Sequence, residues 1–384
     1  MPHIVMLLSN AFRPDPRVLK EANSLCAEGF NLTILCWDRQ GQLQAEELLP
    51  SGVKVIRIQK IRSGYGVGGK QLLRMPVFWK AIQHYLRVIK PDIIHCHDFD
   101  TLPAGLLYGL FHRIPVIYDA HEYYAELIKP RLRGMMGWFI PKLVYLLERI
   151  GAQYVNAVVT VDNTLGEIYR KYNHNVIILG HYPIKSMAMR SNPVFSRSDL
   201  TLIYTGRISI DRGILVYCTI LRKLLEGGIP TRLMLAGAFT PENEQEIFIQ
   251  NAKDVQNFID YLGWIPYEKI SDILNSADIG LAVLMPEPRY VAATPVKLFE
   301  YMASGLPVIA SNFPAISHIV NDANCGLLID PLADISSTVN SIKNWYENKS
   351  VPITLGENGR QVIISKYNWE NQITPLINFY NTIR

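Results

Sequence analysis

One pattern constrains this chain most: a short apolar run, a helical stretch closed by glycine, then another apolar run. His3 to Ser9 reads as a hydrophobic strand, Asn10 to Pro16 as a loop, and Arg17 to about Glu28 as a helix ended by Gly29. Leu32 to Trp37 and Val53 to Ile58 supply a second and a third strand. Strand–helix–strand at this spacing is a βαβ unit, and its repetition means a parallel sheet with helices on both faces. Ligands of such sheets sit beyond the carboxyl ends of the strands, where Arg13, Asp15 and Arg17 fall. No G-x-G-x-x-G follows the first strand, so the dinucleotide fingerprint is absent there.

Two further strands end in clusters of histidine and carboxylate. Asp92 to His95 runs into His95-Cys96-His97-Asp98-Phe99-Asp100. Three readings stand side by side: a metal site built on HxH, a DxD metal–diphosphate motif, or a strand-end loop lining a cleft. HxH puts both imidazoles on one face of an extended segment, but the sequence suggests no third or fourth ligand, so no metal is expected. Pro115 to Tyr118 ends in Asp119-Ala120-His121-Glu122, a second polar strand end in the same sheet. Val155 to Val161 and Ile177 to Leu179 read as later strands.

Asn173 to Ser198 is rich in Asn, Pro and Ser, and a domain boundary is expected there, with the linker near Pro183 to Ser196. A second sheet then begins. Leu200 to Tyr204 turns at Gly206-Arg207, and Asp211-Arg212-Gly213 opens a helix reaching about Gly227. Arg207 and Arg212 thus flank a strand-to-helix loop, either as surface ion pairs or as phosphate ligands. Strands follow at Leu233 to Ala236, Phe258 to Leu262 and Ile279 to Leu284, with helices at Asn243 to Lys253 and Tyr267 to Ser276. Leu327 to Ile329 is a last strand. Helices at Asp334 to Asn348 and Trp369 to Ile383 close the chain, the last expected to pack across the domain junction.

Thr294 to Ser311 (TPVKLFEYMASGLPVIAS) is the densest stretch. Thr294 reads as an N-cap, Pro295 as a first-turn proline, and Gly305 as a stop before a buried strand. The helix is apolar apart from Lys297 and Glu300. A carboxylate on so apolar a helix needs a partner. That partner is either a structural Arg or Lys, or ligand hydroxyls whose phosphates meet the helix N-terminus.

With 384 residues, 49% of them hydrophobic and 19% charged, the chain fits two globular domains. No apolar run is long enough for a transmembrane helix, and the N-terminus reads as a strand and not as a signal peptide. Five cysteines without CxxC spacing fit a reducing compartment. Residues 1–190 carry a net charge of +8 and residues 191–384 a net −4. The basic half suits an anionic partner, a membrane surface or a phosphorylated substrate, and lacks the aromatic-interleaved pattern of nucleic-acid binding. Ile61 to Gly69, flanked by Lys60, Arg62, Lys70 and Arg74, reads either as a solvated linker or as a loop closing over an anionic acceptor. Lys129 to Leu147 mixes four basic residues with Met135, Met136, Trp138, Phe139 and Ile140, either a packed helix or a membrane-interface segment.

The order of motifs resembles a known family. TGR with Arg212 five positions on, LGW, SADI and P-x-K-x-x-E-Y-M-A-x-G-x-P-V look like the second domain of retaining nucleotide-sugar glycosyltransferases of family 4, with the GT-B fold. NAFRPDPRVLKEA, PDIIHCHD and PVIYDAHE look like that family's first domain. The resemblance implies two Rossmann-like domains facing across a cleft. Residues 1–185 would serve the acceptor and 186–365 the nucleotide sugar, with the helix 366–384 crossing back. It implies diphosphate binding by Arg207 and by Arg212, which stands where the family usually has lysine. It gives ribose binding to Glu300, diphosphate contact to the backbone of Thr294, Pro295, Val296 and Lys297, and a further phosphate contact to the Lys297 side chain. Gly263, Trp264 and Ile265 would border the base, and His121 the transferred sugar. Arg13, Asp98 and Glu122 join them as acceptor-side candidates. One departure is Ala292, where the family often carries a glutamate; Glu287, Arg289 and Tyr290 are candidates to substitute for it.

The resulting expectation is metal-independent transfer of a sugar from a nucleotide sugar to a lipid-linked or glycan acceptor, without cofactor. It would take place in the cytoplasm at the inner membrane face, in cell-surface polysaccharide or glycoconjugate synthesis. A sugar-nucleotide epimerase of the same fold would need no acceptor. A non-catalytic subunit would keep the fold without turnover. Nucleic-acid binding would need no sugar nucleotide and would fall steeply with salt.

Overall fold

The structure, a computed structural model, describes residues 1–13, 15–63, 74–128, 134–189, 199–291 and 293–383. Positions 64–70 of the glycine-rich loop and its flank, Lys129, Arg131, Arg133, the linker from 190 to 196, and Ala292 lie outside the described residues. Two compact units make up the chain: 1–181 with 372–384, and 182–371.

The first unit is built on eight strands: β1 His3–Leu8, β2 Asn31–Trp37, β3 Glu46–Leu48, β4 Lys54–Ile58, β5 Ile93–His97, β6 Val116–Ala120, β7 Ala157–Thr160 and β8 Val176–Ile178. They lie in the order β3-β4-β2-β1-β5-β6-β7-β8. All pairs are parallel except β3·β4, an antiparallel edge that the expected all-parallel sheet did not include. Its three residues, Glu-Glu-Leu, carry no apolar run; they pair through the backbone and through the ion pairs Glu46–Lys54 and Glu47–Arg57. The helices are α1 Pro16–Ala27, α2 Met75–Ile89, α3 Leu102–His112, α4 Tyr124–Ile128, α5 Gly134–Tyr154 and α6 Asn163–Arg170. Asp15 caps α1, accepting from Arg17 N, with Pro16 in the first turn.

The second unit has six parallel strands: β9 Leu200–Thr205, β10 Thr231–Ala236, β11 Ile259–Gly263, β12 Ile279–Ala282, β13 Val308–Ser311 and β14 Gly326–Ile329, ordered β11-β10-β9-β12-β13-β14. Its helices are α7 Lys185–Met189, α8 Ile214–Glu226, α9 Glu244–Asn251, α10 Ile270–Leu274, α11 Pro288–Val291, α12 Val296–Ala303, α13 Pro314–Ala323, α14 Ser336–Glu347, α15 Ser350–Ser365 and α16 Trp369–Thr382. From residue 372 onward α16 belongs to the first unit.

Some boundaries correct the sequence reading. The key helix α12 begins at Val296 with Pro295 as its N-cap, so Thr294 is neither cap nor helical. A 3-10 turn, Ile210–Arg212, precedes α8, so Arg212 stands just before that helix and not inside it. Tyr267 to Lys269 is likewise 3-10 and α10 ends at Leu274.

Strand order reverses between β1 and β5 in one sheet and between β9 and β12 in the other. Loops leaving these strands diverge to opposite faces and open a crevice at the carboxyl edge. Most candidate residues gather at those two places, while Gly263 to Ile265 lie at the end of the edge strand β11.

Candidate active site

In the second unit, β9 delivers Thr205, Gly206 and Arg207 to the crevice. Gly206 sits at φ 108°, a left-handed value that favours glycine. Tyr301 of α12 fastens that helix here, its hydroxyl accepting from Thr205 N at 2.9 Å. This brings the first turn of α12 against the end of β9. Lys297 is buried, with its ammonium 3.4 Å from the centre of the Tyr204 ring and no hydrogen-bond partner. Burial, and then the charges of Arg212 and Arg207, hold its pKa well below the usual lysine range; Glu300, one turn on, works the other way.

Arg207 donates from Nη2 to Asp211 Oδ2 at 3.0 Å and to the Tyr290 hydroxyl at 2.9 Å. Arg289 also reaches Asp211, at 2.6 Å, and the Tyr290 hydroxyl donates to the same carboxylate oxygen at 2.9 Å. The Nε atoms of Arg207 and Arg212 are buried without a partner, as is Lys297 Nζ. Two guanidinium groups and the Lys297 amine therefore meet around one strand end with donors unspent. A buried unpaired donor is costly, and an anion is the kind of ligand that offsets such a cost. Of the three candidates to replace the residue at 292, Tyr290 and Arg289 join this cluster, while Glu287 is exposed. Asp211, which the sequence offered only as a helix opener, organises it.

Gly263 ends β11 at φ 68° and its carbonyl accepts from Gly237 N at 2.7 Å. Trp264, beside it, is 74% exposed, an unpartnered aromatic face of the kind a base stacks on, and Ile265 is half-buried.

In the first unit the candidates lie at the ends of β1, β5 and β6. Arg13 lines a cleft of about 440 Å³ with Asn10, Asp15 and Gln40, and donates to Gln42 Oε1 at 3.2 Å. Arg17 and Asp15 pair at 3.0 Å. Burial works to raise the Asp15 carboxyl, but the hydrogen bond and charge of Arg17 bring it down to about 2. Asp98 is held at φ 61°, and burial, then Asp100 and Asp119, push its carboxyl well above the usual range. Glu122 is exposed. Asp100 is buried and bonded by Ser9 and Tyr124, so it serves the interior and Asp98-Phe99-Asp100 does not present two carboxylates to a ligand.

His121 is buried in a column of imidazoles. His95 and His97 stack at 4.4 Å, His97 and His121 at 5.6 Å, and His121 and His181 at 5.5 Å between centroids. Asp119 Oδ2 lies 3.0 Å from His97 Nδ1 and 3.2 Å from His121 Nε2. Burial pushes the His121 pKa down to about 3, so the ring is neutral at physiological pH, and its Nδ1 is buried without a hydrogen-bond partner. Glu21, on the buried face of α1, and His181 also reach this column; in the sequence both looked like ordinary polar positions.

The outer face of α5 is apolar. Trp138 is 64% and Phe139 55% exposed, Leu143, Leu146, Leu147 and Ile150 are exposed too, and Lys142 places its ammonium 3.7 Å above the Trp138 ring. Glu148 turns inward and accepts from the hydroxyls of Tyr118 at 2.5 Å and Tyr169 at 2.8 Å, which fixes which face of α5 points out. Among the described residues no helix is long and apolar enough to cross a membrane.

Comparison with known proteins bears on the family and the fold. A family model described as Glycosyltransferase Family 4 matches residues 17–178, and one described as Glycosyl transferases group 1 matches 188–362. A GDP-mannose-dependent alpha-(1-6)-phosphatidylinositol dimannoside mannosyltransferase of Mycobacterium tuberculosis is 24% identical, over 79% of this chain and 77% of its own. The Escherichia coli UDP-Gal:alpha-D-GlcNAc-diphosphoundecaprenol alpha-1,3-galactosyltransferase is 22% identical, over 78% of each. The solved structure of sucrose-phosphate synthase from Thermosynechococcus elongatus superposes over 99% of both chains, with a TM-score of 0.74 at 17% identity.

Proposed function

This chain belongs to the group 1 glycosyltransferases of GT-B fold, and from that premise we propose that it transfers a sugar, with retention, from a nucleoside-diphosphate sugar to a lipid-linked or glycan hydroxyl. The observation that carries the reading is the trio of Arg207, Arg212 and Lys297, with buried donors turned to one strand end and no partner for them. A leaving diphosphate gains charge as the glycosidic bond breaks. Preorganised cations and the N-terminus of α12 stabilise that charge most where it develops. These groups do the work a divalent cation does on a diphosphate elsewhere, so the proposed transfer is metal-independent.

Glu300, one turn into the same helix, takes the ribose hydroxyls, and Gly263 to Ile265 border the base. His121, neutral at physiological pH, accepts from a sugar hydroxyl. In retaining transfer on one face, the leaving phosphate oxygen takes the acceptor proton while the acceptor oxygen bonds to the anomeric carbon. That sequence needs no side-chain base. The relatives with lipid-linked acceptors, together with the apolar, lysine-bearing face of α5, support an acceptor met at an anionic membrane surface on the cytoplasmic side. A thermal-shift screen of nucleotide sugars tests the donor reading. One of them at about a hundred times its Kd should stabilise the chain by roughly 2.7 kcal/mol. A flat response to every nucleotide sugar overturns it.

A further inference from the structure

His95-Cys96-His97 lacked a third and a fourth ligand in the sequence, and the fold supplies both. Glu21 comes from the buried face of α1 and Asp119 from the next strand, β6. One ligand atom from each of Glu21, His95, His97 and Asp119 lies within 4.8 Å of all the others. His97 Nδ1 is 3.0 Å from Asp119 Oδ2, and His95 Nε2 is 3.8 Å from both Asp119 Oδ2 and Glu21 Oε2. Four donors about 2.1 Å from a tetrahedral ion stand about 3.4 Å apart, in the middle of that range.

Three of the four atoms are also unspent, while His97 Nδ1 meets His121 Nε2 at 3.4 Å. Glu21 Oε2, His95 Nε2 and Asp119 Oδ2 are buried without a hydrogen-bond partner. His95 meets the Tyr380 hydroxyl at 2.7 Å through Nδ1, which leaves Nε2 turned toward the carboxylates, the way an outer-shell partner orients a ligating imidazole. Both carboxyl groups are about 1% exposed and the nearby Arg17 is engaged by Asp15, so a dication would supply the positive charge that ionising both of them out of water requires.

We propose that Glu21, His95, His97 and Asp119 form a closed divalent-metal site, suited to Zn2+, that ties α1 to the carboxyl ends of β5 and β6. Two imidazoles and two carboxylates are a borderline donor set, and zinc accepts it in tetrahedral geometry. The four side chains are no more than 3% exposed, so no position is open to substrate and the ion is structural. It is separate from the diphosphate chemistry, which the second unit's arginines and lysine serve.

The test uses the full chain and makes no use of transfer activity. Protein purified without chelator from zinc-supplemented cells is analysed for metal, and chelated protein is refolded with Co2+ and read by its tetrahedral visible bands. The expected result is about one ion per chain, the cobalt bands of a mixed nitrogen–oxygen site, and a lower Tm on chelation that Zn2+ restores. Glu21→Gln and Asp119→Asn keep shape and should lose the ion while keeping the far-UV spectrum. A wild-type chain that holds no metal and gives no cobalt bands overturns the proposal. So does metal retained in both variants. A metal-free wild type would mean that the two carboxyl groups share a proton instead.

Discussion

Lys297 is the residue whose behaviour is easiest to foretell from its surroundings. Burial and two arginines depress its pKa, so the folded chain binds this proton more weakly than the unfolded chain does. Between the two pKa values the unfolded state holds more protons, and this group's contribution makes stability rise with pH across that window. A bound diphosphate reverses the local field and raises the pKa. Titration calorimetry of a nucleoside diphosphate near pH 8, in buffers of different ionisation enthalpy, should therefore show proton uptake in the wild type and a smaller uptake in Lys297→Met. An enthalpy independent of buffer contradicts this. Tyr301 offers a second check. Tyr301→Phe strands the buried Thr205 N–H, and denaturant unfolding should lose about 1–3 kcal/mol.

At the scale of elements, β1, β2, β9, β12 and α1 are legible in the sequence because apolar runs and glycine stops mark them. Helices α2, α3, α6 and α13 are not among the elements read from the sequence, and two further elements escape for identifiable reasons. The edge strand β3 is polar, and α15 contains Pro352, Gly356 and Gly359, which sequence propensity reads as loop. The structure shows why a helix there tolerates glycine: a Cβ at Gly356 would stand 1.9 Å from the Gly305 carbonyl oxygen. Long-range packing sets that helix, and no local window carries it. The site divides the same way. Arg207, Lys297 and Glu300 sit inside motifs, whereas Glu21 looks like one more solvated charge on an amphipathic helix until β5 and β6 are laid beside it. For α5 the expected outcome concerns lipids. Trp138→Ser with Phe139→Ser should cut co-sedimentation with anionic vesicles severalfold, and Lys142→Glu should do so at low salt. Wild-type protein that fails to bind such vesicles at low salt removes the membrane surface from the account.

Over the whole molecule, two sheets of like design carry unlike charge, +8 over residues 1–190 and −4 over the rest. The division of labour we propose is a basic acceptor side and a donor side in which Arg207, Arg212 and Lys297 gather at one strand end. The family membership gives the fold and the reaction class; we propose that the stretch around residue 292 and Trp264 read the sugar and the base. The central claim is that the donor's diphosphate and ribose are held by Arg207, Arg212, Lys297 and Glu300. Its most direct test is calorimetric binding of the stabilising nucleotide sugar to wild type, Arg207→Ala and Glu300→Ala. Losing a charge-assisted hydrogen bond costs about 1.5–3 kcal/mol, so each variant should bind roughly ten- to a hundredfold more weakly. Unchanged affinity in both variants would contradict the account.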